Sequence, residues 1–172
     1  MPAEKNIPVI GFAGRANSGK TTLIEKIVSA FTEQKLRVAV IKHVHHPFDF
    51  DVPGKDTYRH KKAGAASVIL ASSGQLAMVK DAPHEFSLEE IISCYVSDAD
   101  LIIVEGFKCA PIPKIEVYTH HSGEPPLCAS GDSLYIAVAT DDDIGVSIPR
   151  FKRDDADAIA GFISMHILNA HK

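Results

Sequence analysis

"GFAGRANSGKTTL", Gly11 to Leu23, stands between the apolar run "IPVI" and the amphipathic run "LIEKIVSAF". Inside it, G-x-x-x-x-G-K-T runs from Gly14 to Thr21 and matches the phosphate-binding P-loop at every fixed position. Glycines at both ends let the backbone turn tightly enough for successive N–H groups to face phosphate oxygens. Lys20 is placed to bridge β- and γ-phosphates, and Thr21 to give its hydroxyl to Mg²⁺. The helix opening at Lys20 adds its positive N-terminal dipole. Leu23, Ile24, Ile27, Val28 and Phe31 recur at helical spacing behind the loop. Gly14, Arg15, Ala16, Asn17, Ser18, Gly19, Lys20, Thr21 and Thr22 are therefore the candidate cradle of a nucleoside triphosphate.

The 172 residues, 45% of them hydrophobic, suit one nucleotide-binding domain spanning the chain. A net charge of −4 supplies no overall basic field for nonspecific nucleic-acid binding. Cys94, Cys109 and Cys128 form no C-x-x-C pair, which implies free thiols in a reducing compartment. "MPAEKNIPVIGFAG" lacks the apolar core of a signal peptide, and no apolar run approaches the ~20 residues that span a bilayer. The expectation is a cytoplasmic protein that does not enter the membrane.

Apolar strands alternate with helices, the mark of a parallel α/β sheet. Strands are predicted at 7–13, 37–42, 66–71, 75–80, 100–105, 114–118 and 134–139, and helices at about 20–34, 56–63, 88–96 and 154–170. Ser87 and Glu90 form a capping box at the third helix, and Gly64 can stop the second. "ASSG" (71–74) between short strands reads as a hairpin, so a mostly parallel sheet with an antiparallel extension is expected.

Ligands of such sheets bind beyond the C-terminal strand ends, where the informative residues indeed cluster. "DLIIVEG" has the layout of a Walker-B element, with Glu105 where Asp is usual; Glu105 can reach the metal's water shell or orient an attacking water. Lys20 and Glu105 are the candidate catalytic pair, and Thr21 with Glu105 the candidate metal site. "HVHHPFDFDVPGKD" (43–56) gathers His43, His45, His46, Asp49, Asp51 and Asp56 without a cysteine or an H-x-x-x-H. It is a polar surface loop, a loop closing over the phosphates or a second substrate, or, least in keeping with its spacing, a zinc site. "TDDD" (140–143) is either a solvated turn or the base reader. One carboxylate, Asp141 or Asp142, could accept guanine N1–H and N2–H₂ together, a donor pair that adenine lacks. Arg15 reads as an exposed basic loop residue near the phosphates.

Together "GRANSGKTTLIEKI", "VAVIKHVHHPFDFDVPGKDTYRHKKAGA", "DLIIVEGFK" and "PKIEVY" resemble the molybdopterin-guanine dinucleotide biosynthesis protein B (MobB) family, from about residue 7 to 140. The resemblance implies a three-layer P-loop NTPase domain of the SIMIBI type that binds GTP and Mg²⁺, hydrolyses GTP weakly and forms a homodimer. It further implies work beside the guanylyltransferase MobA in attaching GMP to molybdopterin, itself a possible ligand. Asp49, Asp51, Gly54, Lys55, Asp56 and Arg59 match the family's functional loop, and Glu105 matches the family too. "KIEVY", with two alternating faces, is the candidate strand for pairing across the dimer. The competing reading is a P-loop kinase acting on a small molecule, which would need an acceptor site and usually an Arg-rich lid. No such lid is visible in the sequence. A pure scaffold would leave Lys20 and Thr21 without purpose.

Overall fold

The computed structural model describes residues 6–48, 51–120 and 123–171. Within them, strands β1 (Val9–Ala13), β2 (Val38–Lys42), β3 (Ser67–Ala71), β4 (Leu76–Lys80), β5 (Leu101–Glu105), β6 (Lys114–Val117), β7 (Tyr135–Ala139) and β8 (Arg150–Phe151) are interspersed with helices. The α-helices are α1 (Lys20–Glu33), α2 (Asp56–Lys62), α3 (Leu88–Tyr95) and α4 (Ala156–Ile163). Six strands lie in the order β2-β5-β1-β6-β7-β8, every neighbouring pair parallel. The glycine-rich turn between β1 and α1 makes this the α/β P-loop NTPase fold. The antiparallel β3–β4 hairpin forms a two-stranded sheet of its own.

Burial explains the order. β5 and β1 occupy the sheet's interior and carry almost unbroken apolar sequence, as strands covered on both faces do. Ile10, Phe12, Leu101, Ile103, Ile115 and Val117 form one core with Leu23, Ile27 and Phe31 of α1 and Ile159 and Ile163 of α4. Each such side chain contributes roughly 1.5–3 kcal/mol on burial. The spacing of the α1 residues therefore fixes which face of that helix meets the sheet, and with it the position of its N-terminus. Asp155 caps α4 by accepting from Ala158 N at 3.1 Å. Beyond Ile163 the chain continues through a π turn (Ser164–Leu168) and a 3₁₀ turn (Asn169–His171), so the α-helical part is shorter than the sequence pattern predicts.

The chain divides into two compact units, residues 1–43 with 92–172, and residues 44–91. The first contains the six-stranded sheet; the second contains α2 and the hairpin. In the second, Ser72 N donates to Gln75 O at 2.8 Å and closes the "ASSG" turn. Lys61 pairs with Asp81 at 2.7 Å, and Gly64, in a left-handed conformation, ends α2. The capping box at α3 is formed in both directions, Ser87 N to Glu90 Oε2 at 2.8 Å and Glu90 N to Ser87 Oγ at 3.1 Å.

β6 corrects one expectation. The sequence offers "KIEVY" for pairing across a dimer, but β6 is hydrogen-bonded to β1 on one side and β7 on the other, leaving no edge to offer. Its alternation does not separate a dry face from a wet one either, because Lys114 and Glu116 are 2% and 1% exposed. Both charges are satisfied internally: Lys114 Nζ donates to Ala110 O at 2.6 Å, and Glu116 accepts from Leu127 N and Cys128 N, each at 2.8 Å. The short β8 and the 3₁₀ turn Leu127–Ser130 are elements that the sequence pattern does not announce.

Candidate functional site

β1 delivers the chain into the loop at Ala13, and Gly14 leaves it at φ 146°. A Cβ on Gly14 would run into the carbonyl oxygen of Val117 on β6, so only glycine lets the loop pass this close to the neighbouring strand. Asn17 (φ 60°) and Gly19 (φ 93°) are both left-handed, and Ser18 between them is buried. This succession wraps the loop around the N-terminus of α1. Gly19, at the N-cap, has no side chain with which to cap that helix, and the first turn carries no acid. Lys20 stands there instead, its ammonium donating to Arg15 O at 2.6 Å and approaching Ser18 Oγ at 3.4 Å. Partial burial lowers its pKa; Glu105 opposes the shift, while Lys108 and Lys42 add to it. Uncapped N–H groups, a positive helix end and a desolvated ammonium converge on one spot, an arrangement that favours an anion.

Glu105 comes to that spot from β5. Thr21 Oγ1 donates to Glu105 Oε1 at 3.3 Å, and Lys42 Nζ lies 3.4 Å from the same oxygen. The Glu105 side chain is only 12% exposed, so its direction is fixed by its neighbours. Behind it, His43 N donates to Glu105 O at 2.8 Å, and the His43 ring packs on Phe107 with centroids 4.3 Å apart. His43 thus ties the end of β2 to β5 and to Phe107. Among the described residues no group of three or more His, Cys, Asp and Glu gathers to hold a metal. Mg²⁺ in a triphosphate site asks less of the protein, since one or two protein oxygens, waters and phosphates complete its octahedron. The Thr21 hydroxyl beside the Glu105 carboxylate meets that need.

Other sequence-predicted residues have partners of their own. Asp141 accepts from Arg153 twice, at the backbone N (3.2 Å) and at Nε (2.7 Å), and these bonds hold its carboxyl below the usual carboxylate range. Asp142 Oδ2 accepts from His120 N at 2.6 Å. Asp143 pairs with Arg150 at 2.7 Å. Arg15 forms an ion pair with Glu124 and lines an open recess of about 440 Å³ with Leu127, Ser130, Asp132 and Tyr135. Cys128, next to Leu127 in sequence, has its thiol pushed up to about 12, by burial first and by the Glu116 carboxylate second. Arg153, Lys42 and Glu124 are residues of this region that the sequence reading passes over, and it reads Glu116 only as part of the alternation of "KIEVY".

In the second unit, Asp51 turns its Oδ1 to Val52 N at 2.7 Å, and Asp56 opens α2 with Arg59 3.6 Å away. Lys55 precedes α2 in an extended conformation, after Gly54 at φ 87°. His46 Nδ1 lies 3.0 Å from Pro47 O at the surface. Asp49 lies outside the described residues.

Comparison with known proteins bears on the whole chain. A profile of the family described as Molybdopterin guanine dinucleotide synthesis protein B matches residues 9–141. The molybdopterin-guanine dinucleotide biosynthesis adapter protein of Escherichia coli (strain K12) is 36% identical over 166 residues, 95% of each chain. Its counterpart from Haemophilus influenzae is also 36% identical, over 96% of this chain and 92% of that one. Among solved structures, the Bacillus subtilis MobB crystal structure superposes with a TM-score of 0.74 at 28% identity, covering 92% of this chain and 97% of that one. A crystal structure of molybdopterin-guanine biosynthesis protein B superposes at 0.73 with 30% identity, covering 91% and 98%.

Proposed function

The chain belongs to the molybdopterin guanine dinucleotide synthesis protein B family, and on that premise we propose that it is a GTP-binding adapter in making the guanine dinucleotide form of molybdopterin. One observation carries the nucleotide part of this reading: the convergence of Gly14–Thr21, Lys20 and the Thr21–Glu105 pair on the positive end of α1. The loop N–H groups and Lys20 bind the polyphosphate. Thr21 and Glu105 would hold Mg²⁺ and its waters, and the metal would supply electrostatic stabilisation of the phosphate charge. Glu105, 3.4 Å from Lys42, orients a water for weak hydrolysis. The recess beside Arg15 gives an anionic second ligand such as molybdopterin room next to the nucleotide. Asp141 or Asp142 is the carboxylate proposed to read guanine.

The adapter acts on a partner, for which we propose the guanylyltransferase MobA, and works as a homodimer in the cytoplasm. No helix among the described residues is long and apolar enough to cross a membrane. Titration of GTP, together with phosphate release measured with and without molybdopterin and the guanylyltransferase, tests the proposal. Expected are saturable Mg²⁺-dependent GTP binding and slow hydrolysis that the partner and pterin accelerate. Accumulation of a phosphorylated small molecule would make the protein a kinase instead, and absence of GTP binding would remove the premise of the site.

A further inference from the structure

β7 and β8 run parallel with Val138 opposite Arg150 and Ala139 opposite Phe151, and Thr140 N donates to Phe151 O at 2.8 Å. Two residues beyond that pair, the strand ends set Asp141 against Arg153. The carboxylate grips the arginine at two points, its backbone N–H and its Nε, so the guanidinium is aimed by Asp141. Its far end reaches the P-loop: Arg153 Nη1 stands 3.9 Å from the point where a Cβ on Gly19 would lie. Glycine at that position, besides its left-handed backbone, leaves open space that the guanidinium borders.

Sheet order says which part of a nucleotide would meet it. The Thr21–Glu105 pair lies toward β5, on one side of β1, whereas Arg153 follows β8, on the other. A polyphosphate with its metal-bearing terminal phosphates at Thr21 and Glu105 extends its remaining part toward β7 and β8. We infer that Arg153, held by Asp141, is a nucleotide-binding residue that contacts the α-phosphate and ribose side of the ligand, and that Asp141 is its positioning residue rather than a reader of the base. This inference rests on the nucleotide reading of the P-loop. The chemistry suits it, because Nε is committed to Asp141 while the Nη groups carry the remaining donors of the fork. Asp141 also offsets the cost of holding a second cation beside Lys20 at the positive end of a helix.

The test is calorimetric titration of the full chain with GTP, GDP, ATP and XTP in Mg²⁺. Arg153→Ala is expected to weaken GTP and GDP alike, by about 30-fold, the size of one charge-assisted hydrogen bond. Arg153→Lys should fall between wild type and alanine, since an ammonium keeps the charge but cannot be held through Nε. Asp141→Asn should weaken GTP and XTP by the same factor, leaving base preference unchanged. Added to Arg153→Ala, it should cost less than about twofold more, as expected of a residue acting through another. Unchanged GDP affinity in Arg153→Ala, in a protein whose GTP binding still depends on Lys20, would overturn the inference while leaving the nucleotide reading intact. A gain of XTP affinity in Asp141→Asn would overturn it too, by making Asp141 the base reader. Failure of the wild-type chain to bind GTP or GDP would bring down the nucleotide reading and the inference with it.

Discussion

Lys20 lies across its own loop, its ammonium 2.6 Å from Arg15 O and, by burial, less firmly protonated than an exposed lysine. A phosphate oxygen offers that ammonium a better partner than a backbone carbonyl, because the hydrogen bond becomes charge-assisted at both ends. The gain is confined to the β- and γ-phosphates that the lysine of a P-loop meets. Lys20→Ala should therefore weaken GTP by about 10- to 150-fold, equivalent to roughly 1.5–3 kcal/mol, and leave GMP within about twofold. The fold should survive, since alanine is the best helix former and Lys20 opens α1. Equal losses for GTP and GMP would mean that the residue supports the loop rather than the phosphates. The same scale shows why Asp141 and Asp142 could not be told apart in the sequence. They are adjacent at a strand end, yet one turns to Arg153 and the other to His120 N.

β6 shows how a strand can be misread while its position is read correctly. Alternation of Ile115 and Val117 with Glu116 and Tyr118 implies a wet face only if the polar positions must seek water, and here Glu116 is paired inside the protein and Tyr118 is buried. Glu116 binds two N–H groups of the turn at Leu127–Ser130, so β6 anchors that turn and the recess beside Arg15. Glu116→Ala would strand both donors and should cost about 2–4 kcal/mol in urea unfolding, whereas an exposed glutamate such as Glu89 should cost under about 0.5. A small effect at Glu116 would show that water replaces the carboxylate and that the turn is independent of β6. What was legible in the sequence follows from the same physics. Five-residue apolar strands, the 3.6-residue spacing of α1 and the glycine and lysine spacing of the P-loop are local signals, and so is Glu105 after "LIIV". β8 has two residues and no periodicity, so neither it nor the Arg153 that follows it could be recognised. The partners of Lys114, Glu116 and Asp141 are fixed by chain segments brought together only by folding.

At the scale of the molecule, the second unit poses the question of assembly that β6 cannot answer. In the β3–β4 register Ile69 faces Met78 and Ala71 faces Leu76, and the period of two puts all four on one face of the hairpin. Ile69, Leu76 and Met78 on that face are 59%, 72% and 38% exposed. A two-stranded sheet is marginal in water and has two open edges, which invites another chain to pair with it or cover it. A second copy satisfies that demand with one patch used twice, as a two-fold dimer requires. The homodimer proposed above is therefore expected to form through the hairpin. Light scattering at micromolar concentration should give twice the 18.6 kDa of one chain for the wild type and a single chain's mass for Leu76→Glu. Ile69→Lys on the same face should dissociate it as well, while Glu89→Gln, on α3, should not. A wild type found only as the monomer would end the dimer reading. A dimer untouched by both hairpin substitutions would place its interface elsewhere, and the hairpin's apolar face would then be left for a different protein partner.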